Sequence, residues 1–217
     1  MTAVSSTDTP TDTPTDTSAI LRRPDRLYDG YVFDLDGTVY LGDALLPGAD
    51  GLLALPYWTG ALTPYWDSNA RGTLVGLTGS HGKAHVYRAI LEGLAFEQRL
   101  LTDGAEAVLD KPLERIVVLG GGSRSTVWCQ IIADVLRRPL LVAREPEATC
   151  LGSGMLAAAA VGLHPSIREA ATAMSDTGAV YLPHDGRAAT YDGLYRVYRQ
   201  LYPRLKDVFA ELSEVTR

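Results

Sequence analysis

Only two cysteines occur in the 217 residues, Cys129 and Cys150. They form no CxxC pair and no Cys/His cluster. That excludes a disulfide scaffold or a zinc module and leaves two reduced thiols as the expected state. No apolar run reaches the length that crosses a bilayer. The longest run of small residues, Met155 to Val161, is Ala-rich and suits a packed helix. The first residues lack a positive stretch followed by an apolar core, so secretion is not expected and a cytoplasmic location is. Blocks of Lys and Arg are missing too. Twenty basic residues against 26 acidic ones give a net charge of −6, with a pI near 5.2. Such a balance argues against nucleic acid as a partner, and no membrane partner is expected.

What is present begins with a tract that has little to bury. Residues 1–20 contain TDTPTDTPTDTS and are expected to be disordered, with Leu21 to Arg26 as a linker, so that 1–27 form a tail. GYVFDLDGTVYLGD follows, Gly30 to Asp43. Tyr31, Val32 and Phe33 read as a buried strand that presents Asp34 and Asp36 at its C-terminal tip. From about Leu52 the texture changes, and LPYWTGALTPYWDSNARG is irregular and rich in turn residues.

Beyond it, strands and helices alternate. Thr73 to Thr78 reads as a short strand. His85 to Leu101 carries Val86, Ile90, Leu94 and Leu101 at helical spacing, which predicts an amphipathic helix. Arg115 to Gly122 is a strand ending in three glycines. A helix with Val127, Ile131, Ile132 and Val135 on one side follows and stops before Pro139. PLLVAR is another strand, EATCLGSGMLAAAAVG a tightly packed helix of small residues, and SIREAATAMS a short helix with Ser166 and Glu169 as a capping box. Tyr191 to Val215 is a last helical region, expected to break near Pro203 and to pack through Tyr191, Tyr195, Tyr198 and Tyr202. The pattern predicts an α/β layer fold with ligands beyond the C-terminal ends of strands. Two strand ends qualify, Asp34–Thr38 and Gly120–Ser125.

In VVLGGGSRSTVWCQ the glycines let a ligand approach the backbone, and the following helix offers free N–H groups and a positive dipole end. Phosphate, ribose or a flat base would fit, and so would a plain tight turn. Ser125 stands where a dinucleotide fingerprint needs its last glycine. GSHGKA has Ala84 where a phosphate loop needs Ser or Thr.

Four ordered segments from about Leu55 to Leu212 together resemble the C-terminal domain of the FGGY family of carbohydrate kinases. LPYWTGALTPYWDSNARG is similar to a family loop of the type LPYxxGERTPxxDPxARG. GTLVGLTGSHGKAHVYRAILE, from Gly72 through Gly76, His85 and Ala89 to Glu92, fits a signature of the family. GGGSRSTVWCQIIADVL resembles its adenosine motif, and EATCLGSGMLAA its EAxALGAAxLA helix. The resemblance implies a partial actin-like, ribonuclease-H-like ATPase domain over 52–217, with ATP and Mg²⁺ as cofactors and an alcohol group as phosphoryl acceptor. It places Gly121, Gly122 and Ser125 along the adenosine, with Gly120 and Ser123 shaping the turn. Trp128 and Gln130 would support the loop, and His85 and Glu92 would pack and orient their helix. His81 and His164 read as surface or turn residues. Ala61-Leu62 replaces the family's Glu-Arg.

Phosphoryl transfer needs positioned phosphates, a metal ion and a base near the acceptor hydroxyl. The resemblance assigns the sugar site, the base and the phosphate loops to segments that would come before Leu52, and none is recognisable there. The chain is therefore expected to be inactive alone and to meet a sugar only if a separate N-terminal kinase domain is supplied. An incomplete domain also leaves a sheet edge open, which the Asp34 strand could cover and which otherwise favours a homodimer.

A second resemblance occupies residues 28–51. FDLDGTVYLGDALLPGA is similar to the first motif of haloacid-dehalogenase-like phosphatases of the sugar-phosphatase subgroup. It implies Asp34 as nucleophile, Asp36 as acid/base, both as Mg²⁺ ligands, and Gly37-Thr38 facing phosphate. No later acidic pair completes that site. Three readings follow: an incomplete sugar kinase, a Mg²⁺-dependent phosphatase, and a non-catalytic product of gene rearrangement.

Overall fold

The structure, a computed structural model, describes residues 49–145 and 147–216. Asp34, Asp36, the strand expected to carry them and the 1–27 tail lie outside the described residues.

Two small sheets share one core. Strand β1 (Leu53–Leu55) pairs antiparallel with β2 (Thr73–Val75), with Ala54 opposite Leu74. The aromatic, Pro-rich segment between them forms no strand longer than an isolated bridge, such as Ala61 with Asp67. Helix α1 (Lys83–Leu109) crosses β1. Gly93 permits the crossing, because a Cβ there would lie 2.2 Å from the Ala54 carbonyl oxygen. His85 orients the start of the helix, as expected of it. Its Nδ1 accepts the Gly82 N–H at 3.1 Å, and its Nε2 lies 3.3 Å from Asp50 Oδ2.

The face that α1 buries differs from the expected stripe. Val86 and Ile90 do pack inward, against Leu52 and Ala54. Leu94 and Leu101 are exposed, however, while Arg88, Ala89, Glu92, Ala95 and Phe96 are buried. A charged pair can lie on the inner face because each member meets its partner there. Arg88 Nε donates to Glu92 Oε1 at 2.6 Å. The Tyr191 hydroxyl accepts from Arg88 Nη2 at 2.6 Å and donates to Glu92 Oε1 at 2.9 Å. Buried charges persist when they are paired and hydrogen-bonded in this way.

In the second sheet β3 (Ile116–Val118) runs parallel to β4 (Leu140–Ala143), and β5 (Thr177–Tyr181) runs antiparallel to β4. Helix α2 (Thr126–Leu136) joins β3 to β4 and ends at Arg137, which adopts φ 57° before Pro139. Ile131, Ile132 and Val135 of α2 fill the centre of the core with Phe96 of α1.

Helix α5 (Ala188–Val215) runs unbroken through Pro203, where an interruption was expected. Pro203 is exposed, so its ring meets solvent, while the opposite face is anchored through buried Tyr191, Tyr195 and Tyr198. The loss of one backbone donor is outweighed by that anchoring.

Helix α3 (Ala148–Ala160) packs on α4 (Ile167–Met174), whose Ser166 cap accepts the Glu169 N–H at 3.2 Å. The tight packing expected of α3 is not observed, since none of its residues is buried. Its Ala and Gly side chains are too short to fill the space to the sheet. An open cleft of about 720 Å³ remains between α3, α4 and the β3–β4 strands.

Candidate functional site

The triple-glycine bend follows β3. Gly120 has φ 82°, a conformation in which a side chain would strain the backbone, and it turns the chain into a single 3₁₀ turn over Gly121–Arg124. Two bonds hold the turn. The Ser123 hydroxyl donates to the Gly120 carbonyl at 2.7 Å, and the Ser123 N–H reaches the same oxygen at 3.1 Å. Ser125 then caps α2, its Oγ accepting the Trp128 N–H at 3.3 Å. A serine at this position satisfies one of the donors that a helix start leaves unpaired.

Gly120, Gly121, Gly122, Ser123 and Ser125 thus lie on one compact turn at the start of α2, and their environments differ. A Cβ on Gly120 or Gly121 would meet nothing within 4 Å. The backbone there is open to a ligand. At Gly122 a Cβ would lie 1.9 Å from the Trp128 ring. The indole covers that glycine and closes one flank of the bend. Ser123 is buried and faces inward, where its carbonyl lies 3.4 Å from Cys129 Sγ. Gly120 and Ser123 therefore shape the turn, and Trp128 supports it.

Gln130 has a supporting role as well, and it led to a centre that sequence reasoning missed. Its Nε2 donates to Asp134 Oδ1 at 2.9 Å and to the Leu182 carbonyl at 2.8 Å. Asp134 is fully buried. It also accepts the His184 N–H at 2.8 Å and Arg187 Nη1 at 2.7 Å, and it lies 3.0 Å from His184 Nδ1. Burial pushes its carboxyl up. The His184 N–H, Arg187, Gln130 and His184 outweigh this and hold it below its ordinary value. The cluster ties α2, directly behind the bend, to the segment that leads into α5. An aspartate inside the apolar stripe of Ile131, Ile132 and Val135 was the available signal.

Outside the bend, His81 Nδ1 accepts the Thr78 N–H at 2.9 Å, which makes it a turn residue as expected. Ala61 is buried and Leu62 exposed in the aromatic segment. Asp67 there accepts the Asn69 N–H at 2.8 Å and the Tyr202 hydroxyl at 3.0 Å. No group of three His, Cys, Asp or Glu among the described residues is spaced to hold a metal ion. None of the described helices is long and apolar enough to cross a membrane.

Comparison with known proteins gives this geometry its context. The xylulose kinase of Bacillus subtilis is 32% identical over 173 residues, which cover 79% of this chain and 34% of that protein. The gluconokinase of the same organism is 32% identical over 171 residues, 79% of this chain and 33% of the relative. The crystal structure of ligand-bound xylulose kinase from Lactobacillus acidophilus superposes with a TM-score of 0.68 at 31% identity, covering 77% of this chain and 34% of that one. The chain therefore spans about a third of the length of these relatives. The likeness establishes the partial actin-like ATPase architecture. Residues 41–161 match the sequence profile described as FGGY family of carbohydrate kinases, C-terminal domain; the match takes in the end of the 28–51 segment, and the phosphatase motif expected there gains no support from the comparisons. On these grounds the chain belongs to the FGGY family of carbohydrate kinases.

Proposed function

We propose that this chain is the nucleotide-binding portion of an ATP-dependent carbohydrate kinase. The observation that carries the reading is the open backbone at Gly120 and Gly121, set at the N-terminal end of α2 within a family-matched segment. An adenine nucleotide brings a flat base, a ribose and anionic phosphates. A glycine surface without side chains admits the first two, and a helix N-terminus favours negative charge.

The residues divide the work. Gly120 and Gly121 present backbone to the nucleoside. Ser123 fixes the bend through Gly120, Ser125 fixes the first turn of α2, and Trp128 walls one side. ATP would supply the phosphoryl group, with Mg²⁺ offsetting the charge of its phosphates. A sugar hydroxyl would be the acceptor, as the names of the relatives indicate. No acceptor site or base is assigned among the described residues. Phosphatase action through Asp34 and Asp36 draws no support from the described residues and is not proposed.

Titration calorimetry of the full chain with ATP and with ADP tests the reading. Saturable binding at one site per chain is expected. Absence of binding to either nucleotide overturns it.

A further inference from the structure

Helix α2 carries the glycine bend at one end and a charged anchor near the other. Three contacts fit the helix to the bend. Ser125 caps it, the Trp128 indole lies over Gly122, and the Cys129 thiol donates to the Ser123 carbonyl at 3.4 Å. Trp128 and Cys129 belong to one turn, so both contacts depend on how α2 is rotated about its own axis. The rotation has a cost. The indole N–H of Trp128 is buried and has no hydrogen-bond partner among the described residues. An unpaired buried donor is unfavourable, and a helix free to turn would relieve it. Another contact must therefore set the angle.

Ile131, Ile132 and Val135 bury α2 in the core, but apolar burial is non-directional, whereas hydrogen bonds fix an angle. Among the described residues, the α2 side chains that bond beyond the bend are those of Gln130 and Asp134. Both oxygens of Asp134 are engaged. Oδ1 accepts from Gln130 Nε2 and the His184 N–H, and Oδ2 accepts from Arg187 Nη1. Turning the helix would break bonds to a buried charge, which costs more than one orphaned indole N–H. Asp134 lies about 14 Å along the axis from Ser125, too far to touch a ligand on the bend. We propose that Asp134 is a positioning residue for nucleotide binding. Through α2 it keeps Trp128 on Gly122 and Cys129 on Ser123, and so keeps the Gly120–Gly121 backbone presented to an adenine nucleotide. The proposal rests on the kinase reading above and assigns that site a determinant outside it, with Arg187 as its charged partner.

The test titrates ADP into the full chain and four variants by calorimetry, at a temperature well below every unfolding midpoint. Asp134→Asn keeps an acceptor for the His184 N–H and removes the charge that faces Arg187. Arg187→Ala removes the partner from a partly exposed position, so it decides the matter if Asp134→Asn does not fold. Arg187→Lys restores the charge. Tyr195→Phe, which loses its bond to Asp103 on α1, lowers stability without touching α2. Asp134→Asn and Arg187→Ala are expected to weaken ADP at least fivefold and to speed hydrogen exchange at residues 121–125 of the nucleotide-free chain. Arg187→Lys and Tyr195→Phe are expected to stay within twofold of the unsubstituted affinity. Equal ADP affinity in Asp134→Asn and Arg187→Ala overturns the proposal and spares the nucleotide site. Equal weakening by Tyr195→Phe also overturns it, because stability alone then accounts for the effect. Absence of ADP binding to the unsubstituted chain overturns the kinase reading, and this proposal with it.

Discussion

The Tyr198 hydroxyl on α5 donates to Glu97 on α1, across 101 residues of chain. Tyr57 donates to the same carboxylate oxygen at 2.9 Å. Burial raises the Glu97 carboxyl, and the bonds from Tyr198 and Tyr57 pull it back in part, leaving it above its ordinary value. The pattern repeats along the helix. Tyr195 donates to Asp103 at 2.7 Å, Tyr191 to Glu92 at 2.9 Å and Tyr202 to Asp67 at 3.0 Å. Four tyrosines of α5 thus each reach a carboxylate elsewhere in the chain. Tyr198→Phe removes one bond to a charged acceptor and leaves Glu97 with Tyr57 alone. A loss of about 1.5–3 kcal/mol in urea unfolding is expected. A loss below about 0.5 kcal/mol would mean that this contact does not hold α5 in place.

Asp134 sets the response to acid. Its carboxyl titrates lower in the folded chain than in the unfolded one, so its contribution is present above the unfolded carboxylate range. It is lost as pH falls through the lower folded value. Urea midpoints measured from pH 6 down to pH 3 should fall, and Asp134→Asn should flatten that fall while lowering stability at neutral pH. An acid limb unchanged in the variant would assign the effect to another group.

Close approach at Gly93 is a condition of the fold. With the Ala54 carbonyl oxygen 2.2 Å from where a Cβ would sit, Gly93→Ala must push α1 off β1. A cost of about 1–3 kcal/mol is expected, even though alanine favours helix by about 1 kcal/mol. A stabilised variant would show that the helix and strand are not in contact there.

Pro203 offers the opposite case. It is exposed inside a continuous helix and removes one backbone donor. Pro203→Ala should raise stability, by up to about 3 kcal/mol. A drop on substitution would mean that the proline serves the helix in some further way.

Much of this was legible in the sequence because it was local. The glycine bend, the Ser166 cap and the order of elements from β2 to α4 each follow from a few adjacent residues, whereas β1 and β5 were not anticipated. The buried face of α1 was not legible. Glu92 was expected to pack and does, but Arg88 looks like a surface residue until Tyr191, about a hundred positions away, supplies the partner it shares with Glu92. Asp134 was missed for the same reason, since the His184 N–H and the Arg187 guanidinium that donate to it lie about fifty positions along the chain. The unbroken helix through Pro203 reflects tertiary anchoring that overrides a local breaker. The looseness of α3 depends on what covers it, which its own composition does not state.

The central claim is that the backbone at Gly121 faces an adenine nucleotide. Gly121→Val fills the open space beside the bend and meets no described atom of the protein within 4 Å at Cβ. Calorimetric titration of ADP into the full chain and into this variant, with unfolding midpoints compared in parallel, tests it most directly. The account predicts saturable binding that weakens at least tenfold, about 1.4 kcal/mol, with little change in midpoint. Equal affinity in the two proteins, or no binding in the unsubstituted chain, would contradict it.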